Sequence, residues 1–121
     1  MAVSKVLVVD DCRMTTLLIR HILNREGIPS DAAGTGPEAV EKALKKDYEL
    51  ILLDIVLPGF DGVEVAKRIA QERGESSPEI VLLTSLGEDF RQTMLAESGA
   101  REILFKPIIP SKIVAAARRL L

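Results

Sequence analysis

The chain is poor in the residues that staple, stack or span. It has one cysteine, no tryptophan, one tyrosine and three phenylalanines among 121 residues. A lone Cys12 excludes an intrachain disulfide and points to a reducing, cytoplasmic setting. Charge of one sign is also scarce: 16 Lys+Arg face 18 Asp+Glu, for a net of −2. The basic excess wanted by a protein built to hold nucleic acid or anionic lipid is therefore missing. The longest unbroken apolar run, Ile113 to Ala117, falls far short of the ~20 residues a membrane span needs. No charged-then-apolar leader opens the chain, so secretion is not expected. No Ser/Gly tract, charge block or low-complexity run marks a linker. What is present is a 47% hydrophobic, 28% charged chain. At this length a folded chain buries roughly two-thirds of its unfolded surface, so one domain over 1–121 can build a core without staples.

Four short apolar blocks have the length and β-branched content of buried parallel strands: Val6 to Val9, Leu50 to Leu53, Ile80 to Leu83 and Ile103 to Phe105. A fifth, Ile28 to Ala33, is weaker. Helical spacing lies between them, with apolar residues every three or four positions. The first helical face reads Met14, Leu18, Ile22; the third reads Val65, Ala66, Ile69, Ala70; the last reads Ile113, Val114, Ala117, Leu120, Leu121. Pro37 and Pro110 suit helix first turns, where an N–H has no partner to lose, and Gly27 and Gly74 suit helix ends. The fourth helix, Glu88 to Ser98, has little apolar face beyond Phe90, Met94 and Leu95, and is expected to pack loosely. Five strand-plus-helix units in succession predict a parallel sheet covered on both faces, with right-handed crossovers.

In such a sheet ligands bind outside the carboxyl ends of the strands. The first block ends in Asp10 and Asp11, the third in Asp54, the fourth in Thr84 and Ser85, and the fifth in Lys106. Two like charges ~5 Å apart at an effective dielectric of ~20 repel by about 3 kcal/mol, and three carboxylates make three such pairs. One lysine offsets this only in part. A site of this kind raises a carboxyl pKa or binds a cation, and oxygen-only ligands in an open crevice suit Mg²⁺. Each residue alone has an ordinary explanation: Asp11 as a helix N-cap, Asp10 and Asp54 as turn residues, Thr84 as a strand residue, Lys106 as a surface charge. Their joint placement at strand ends favours a shared site.

These residues carry a resemblance. Val6-Leu7-Val8-Val9-Asp10-Asp11, the run from Asp54 through Pro58 to Asp61-Gly62, Thr84, and Lys106-Pro107 together resemble the receiver domain of two-component response regulators, over essentially the whole chain. The resemblance implies a flavodoxin-like doubly wound (βα)5 three-layer sandwich with strand order 2-1-3-4-5. It also implies that Asp54 takes a phosphoryl group from a phosphohistidine on a sensor histidine kinase or phosphotransfer protein. Asp11, Asp54 and the Val56 carbonyl would hold Mg²⁺, with Asp10 reaching it through water. Thr84 would donate to one phosphoryl oxygen and Lys106 would neutralise another, in keeping with a reaction that needs positioning and charge neutralisation. A cis peptide is expected before Pro107.

Three positions depart from the family pattern. Ile103 stands where an aromatic ring often swings during activation; its branched side chain has restricted χ1 freedom. The switch is therefore expected to rest on Thr84 and the adjoining loop, with smaller shifts at Ile103. Ser85 stands where the family favours a small residue and, being small itself, should leave donor access intact. Val56 cannot orient an attacking water, so a phosphorylated state that is not especially short-lived is expected. Other residues carry less: His21 as surface or helix packing, Met14 and Met94 as gap fillers, and Arg118 and Arg119 as partners of a helix dipole. Neighbouring acids are expected to raise the Cys12 thiol pKa. The implied output is a phosphorylation-gated change in binding to a downstream effector, with at most slow self-dephosphorylation and no enzyme role. A receiver-like scaffold that is never phosphorylated is the alternative. A flavodoxin would want a Ser/Thr/Gly-rich loop where Asp10-Asp11-Cys12 stands, and a D-x-D phosphohydrolase would not have adjacent acids. A stand-alone receiver or one excised from a larger protein, and a monomer or phosphorylation-dependent dimer, all remain open.

Overall fold

The computed structural model describes residues 4–121; of the predicted domain, positions 1–3 lie outside the described residues. Five parallel strands form one sheet: β1 (Val6–Val9), β2 (Ser30–Ala33), β3 (Leu50–Asp54), β4 (Glu79–Thr84) and β5 (Glu102–Phe105), in the order β2-β1-β3-β4-β5. The helices between and after them are α1 (Arg13–Arg25), α2 (Gly36–Lys45), α3 (Gly62–Arg73), α4 (Arg91–Ser98) and α5 (Pro110–Leu120). Fold class and strand order are those expected.

Strand pleating sends alternate residues to opposite faces. Leu7, Val9, Ile51, Leu53, Leu82 and Ile103 pack with Ala39 and Ala43 of α2, Val65 and Ile69 of α3, and Met94 of α4. Val6, Val8, Leu50, Leu52, Val81 and Leu83 pack with Ile19, Ile22 and Leu23 of α1 and Ile113 and Ala117 of α5. β1 and β3 are buried along their whole length, as expected where both faces of a parallel sheet are covered. The same geometry places the ends of β1, β3, β4 and β5 at one edge.

Several local expectations change. The weak fifth block pairs only from Ser30. The first three residues of the expected fourth helix form a 3₁₀ turn, Glu88–Phe90, so α4 begins at Arg91, without a side-chain cap. The face of α1 is also rotated from the expected one: Ile19, Ile22 and Leu23 are buried, whereas Met14, Leu17 and Leu18 are exposed. Met14 therefore fills no gap, while Met94 does. The rotation follows from α5, which packs beside α1 on the same face of the sheet and fixes which stripe turns inward. Arg118 and Arg119 pair with Glu26 and Glu102, tying α5 to the end of α1 and to β5 as well as lying in its last turn.

Candidate functional site

Oxygen atoms of Asp10, Asp11 and Asp54 all lie within 4.8 Å of one another. Asp10 follows β1 and Asp54 ends β3; their backbones are neighbours because β1 and β3 pair in register, with Val9 opposite Leu53. Asp10 and Asp54 are buried, and Asp11 is exposed at the rim. Asp11 is not the helix cap that it could have been. Cys12 occupies the N-cap position of α1, with no side-chain bond to the helix.

Lys106, after β5, reaches across the edge. Its Nζ lies 2.9 Å from Asp10 Oδ2 and 3.2 Å from Asp54 Oδ2. Among the described residues Asp10 and Asp54 each have one further partner: the Cys12 N–H donates to Asp10 Oδ1 at 2.8 Å, and the Val56 N–H donates to Asp54 Oδ1 at 3.2 Å. Burial pushes the Asp54 carboxyl pKa up, and the Asp10 charge adds to this; Lys106 and the Val56 N–H oppose it without reversing it. At Lys106 burial works against the charged form, but the hydrogen bond to Asp10 and the two carboxylate charges prevail, so its pKa rises. The pair of buried acids shares one ammonium, and the net negative charge stays within the cluster.

Thr84 ends β4, is fully buried, and pairs with Phe105 in the register. Its Oγ1 accepts from the Leu86 N–H at 2.9 Å and its carbonyl accepts from the Lys106 N–H at 2.7 Å. The hydroxyl hydrogen remains to be donated. Ser85 is exposed beside it, Ile103 is buried, and the Lys106–Pro107 peptide is cis, as expected. The Val56 side chain, two positions after Asp54, is exposed at 61%. The Cys12 thiol departs from its expectation: the polar groups of Thr15 in the first turn of α1 hold it below its ordinary value, and the opposing Asp10 charge is the smallest influence. His21 is on the surface.

The donor set is chemically coherent. Three carboxylates within 4.8 Å, with hard oxygen ligands and an open side at Asp11, fit a small divalent cation. The resemblance marks the run from Asp54 to Gly62, but not the contacts that hold it in place. The Asp61 side chain caps α3 by accepting from the Glu64 N–H at 2.9 Å, the Gly62 N–H closes the loop onto the Ile55 carbonyl at 2.7 Å, and Arg68 stacks over the Phe60 ring at 4.1 Å. The Asp61-x-x-Glu64 spacing is a capping signature that could have located the turn. Nothing local announced the ring contacts.

Among known proteins, the chain matches the family model of the response regulator receiver domain over residues 6–118. It is 37% identical over 118 residues to the transcriptional regulatory protein ResD of Bacillus subtilis and 34% identical to SrrA of Staphylococcus aureus. Each match covers 98% of this chain and 48% of the relative, so the chain spans about half the length of these curated relatives. Among solved structures, Vibrio cholerae chemotaxis protein CheY4 superposes with a TM-score of 0.89 at 28% identity, covering 99% of this chain and 100% of that one. Thermotoga maritima response regulator TrrA, solved in complex with Mg²⁺ and BeF, superposes with a TM-score of 0.85 at 31% identity, covering 98% and 100%.

Proposed function

Because the chain belongs to the response regulator receiver family of phosphorylation-gated signalling switches, we propose that residues 1–121 form one receiver domain in which Asp54 accepts a phosphoryl group and the change is read by a partner. The observation that carries this reading is the meeting of Asp10, Asp11 and Asp54 within 4.8 Å under a shared Lys106 ammonium.

The step conserves its atoms. An Asp54 carboxylate oxygen attacks the phosphorus of a phosphohistidine; the new P–O bond forms as the P–N bond breaks, and the imidazole nitrogen keeps the electron pair. Lys106 stands beside the Asp54 Oδ2, where it offsets the charge of the incoming phosphoryl oxygens. Thr84 is placed to donate its hydroxyl hydrogen to one of them. Asp11, Asp54 and the Val56 carbonyl would hold Mg²⁺, with Asp10 reaching it through water; the ion would supply the charge neutralisation a phosphate needs to approach three acids.

Hydroxyl donation by Thr84 would draw on a loop whose Leu86 N–H now rests on that oxygen. The loop leads directly into α4, which has no side-chain cap and whose Arg91 lies 5.1 Å from the Phe105 ring centroid. The switch therefore runs from Thr84 through residues 85–90 to α4, with Ile103, already buried, moving less. For the donor, exposed Met14, Leu17 and Leu18 on α1 and exposed Ile109 after Lys106 form apolar surface in the segments that follow Asp11 and Lys106. That chemistry suits a helix of a histidine kinase or phosphotransfer protein. The downstream effector binds without nucleic acid contact by this domain, and the switch acts as a phosphoacceptor in the cytoplasm with no enzymatic output of its own. No described helix is long and apolar enough to cross a membrane.

Incubation with acetyl phosphate, with and without Mg²⁺, followed by intact-mass measurement tests the reading. Wild type should gain one phosphoryl group only with metal, and Asp54→Ala should gain none. A wild-type protein that stays unlabelled under all conditions would leave the unphosphorylated scaffold as the surviving account.

A further inference from the structure

Beyond β3 the chain must turn through residues 55–61 to enter α3, and this turn carries Val56. Within it the Val56 N–H is tied to Asp54 and the Gly62 N–H to the Ile55 carbonyl. The described backbone hydrogen bond to the middle of the turn comes from elsewhere: the Gly36 N–H, in the first turn of α2, donates to the Pro58 carbonyl at 3.2 Å. α2 does not need that contact for its own start. Thr35 caps it by accepting from the Glu38 N–H at 3.1 Å, and Pro37 occupies its first turn.

The two segments touch backbone to backbone. A Cβ at position 36 would stand 2.5 Å from the Phe60 carbonyl oxygen and 3.0 and 3.3 Å from two carbons of its ring. On the other side of the contact, Gly59 has φ +90°, and a Cβ there would stand 2.7 Å from Pro37 Cδ. The Phe60 ring is held on α3 as well, by Arg68 at 4.1 Å, and Arg68 is itself fixed by Glu64 Oε1 at 3.1 Å. Phe60 thus lies between α2 and α3, four positions from Val56 and packed against the core beneath them.

We infer that Gly36 and Phe60 are positioning residues for the acidic site: the first turn of α2 clamps the Asp54–Gly62 turn and so sets where the Val56 carbonyl and the Asp54 carboxylate stand. Neither residue touches metal or phosphate in this account. The inference rests on the proposed phosphoacceptor function, which gives Val56 its ligand role. Outer partners of metal ligands commonly change affinity by about 10- to 100-fold when lost. Displacements of about 1 Å made far from the reacting atoms can cost about 100-fold in rate.

The test uses the full chain and four variants: Gly36→Ala, Phe60→Ala, Phe60→Met and Gly34→Ala. Gly34 is the control, since a Cβ there meets only Glu38 Oε1, at 3.9 Å. Calorimetric Mg²⁺ titration, acetyl phosphate labelling at saturating Mg²⁺ and metal-free thermal melts are compared. Gly36→Ala and Phe60→Ala should weaken Mg²⁺ binding on the order of tenfold and slow labelling by at least as much. Phe60→Met, which keeps an unbranched apolar chain between the helices, and Gly34→Ala should stay within about twofold of wild type on both measures. If Gly36→Ala fails to fold, the Phe60 pair decides the matter. Wild-type Mg²⁺ affinity and labelling in Phe60→Ala, even with a lowered melting temperature, would show the contact to be purely structural and overturn the inference. Failure of wild type itself to bind Mg²⁺ or label would instead overturn the proposed function.

Discussion

Asp31 and Asp54 are both strand aspartates of the same sheet, yet their surroundings push them in opposite directions. Asp31 accepts hydrogen bonds from the Tyr48 hydroxyl at 2.5 Å, Lys46 Nζ at 3.0 Å and the Ser4 hydroxyl at 2.9 Å. Burial acts against its charge, but these three donors outweigh it and hold its carboxyl at about 2, below the ordinary 3.8. Burial, and then the same contact with Asp31, push the Tyr48 hydroxyl well above its ordinary value. Asp54 has burial and a neighbouring acid against it, and half of one lysine in its favour, so it moves up. The contrast separates a carboxylate that stabilises a fold from one left short of partners. Only the second has a reason to take up a cation or a phosphoryl group.

The contrast can be broken most strongly at Lys106. Lys106→Met removes the shared ammonium and leaves two buried acids facing each other. Loss of one member of a buried ion pair costs roughly 3 kcal/mol or more, and partial solvation of Lys106 places the expected loss near the low end. Mg²⁺ should then raise the melting temperature of the variant by more than it raises that of wild type. Equal metal-induced shifts in the two proteins would show that Lys106 does not relieve the acid cluster.

A smaller effect is expected at Asp31. Asp31→Asn should cost roughly 1–2 kcal/mol at pH 7, the usual scale for a well-partnered hydrogen-bond acceptor. Because the folded carboxyl titrates near 2 and the ordinary value is 3.8, its stabilisation is fully present above about pH 4–5 and is lost as pH falls toward 2. Urea titrations should therefore show wild type and variant far apart at pH 7 and converging in strong acid. A constant gap across that window would remove Asp31 from the comparison.

The smallest expected change is kinetic. Val56→Asn places a polar group at the exposed position beside Asp54 and should shorten the lifetime of the phosphorylated protein severalfold, measured by loss of phosphate after the donor is removed. An unchanged decay rate would show that Val56 does not govern water at the site.

Much of the architecture could be read from particular residues. Val6 to Val9 and Leu50 to Leu53 are wholly apolar because both faces of their strands are covered, and the polar residues that end such blocks mark the ligand edge of a parallel sheet. The α1 face was harder. Met14, Leu17, Leu18, Ile19, Ile22 and Leu23 make an apolar stripe too wide to specify its inward centre, and only the position of α5 selects Ile19 and Leu23. The Cys12 thiol is not legible from charge proximity alone, because the polar groups of Thr15 at the helix start outweigh the nearby Asp10 charge. The Gly36–Phe60 contact left no local mark, since its members are 24 positions apart and each serves an ordinary local role.

The order of residues determined which groups end which strands, because apolar period and turn chemistry are local properties of the chain. The sheet's crossovers decided the rest: Lys106 meets Asp10 across 96 positions, one ammonium is divided between two buried acids, and α2 clamps the turn after Asp54. Those outcomes depend on distances of a few ångströms between segments remote in sequence. Periodicity carries no information about them; packing against a common core sets them.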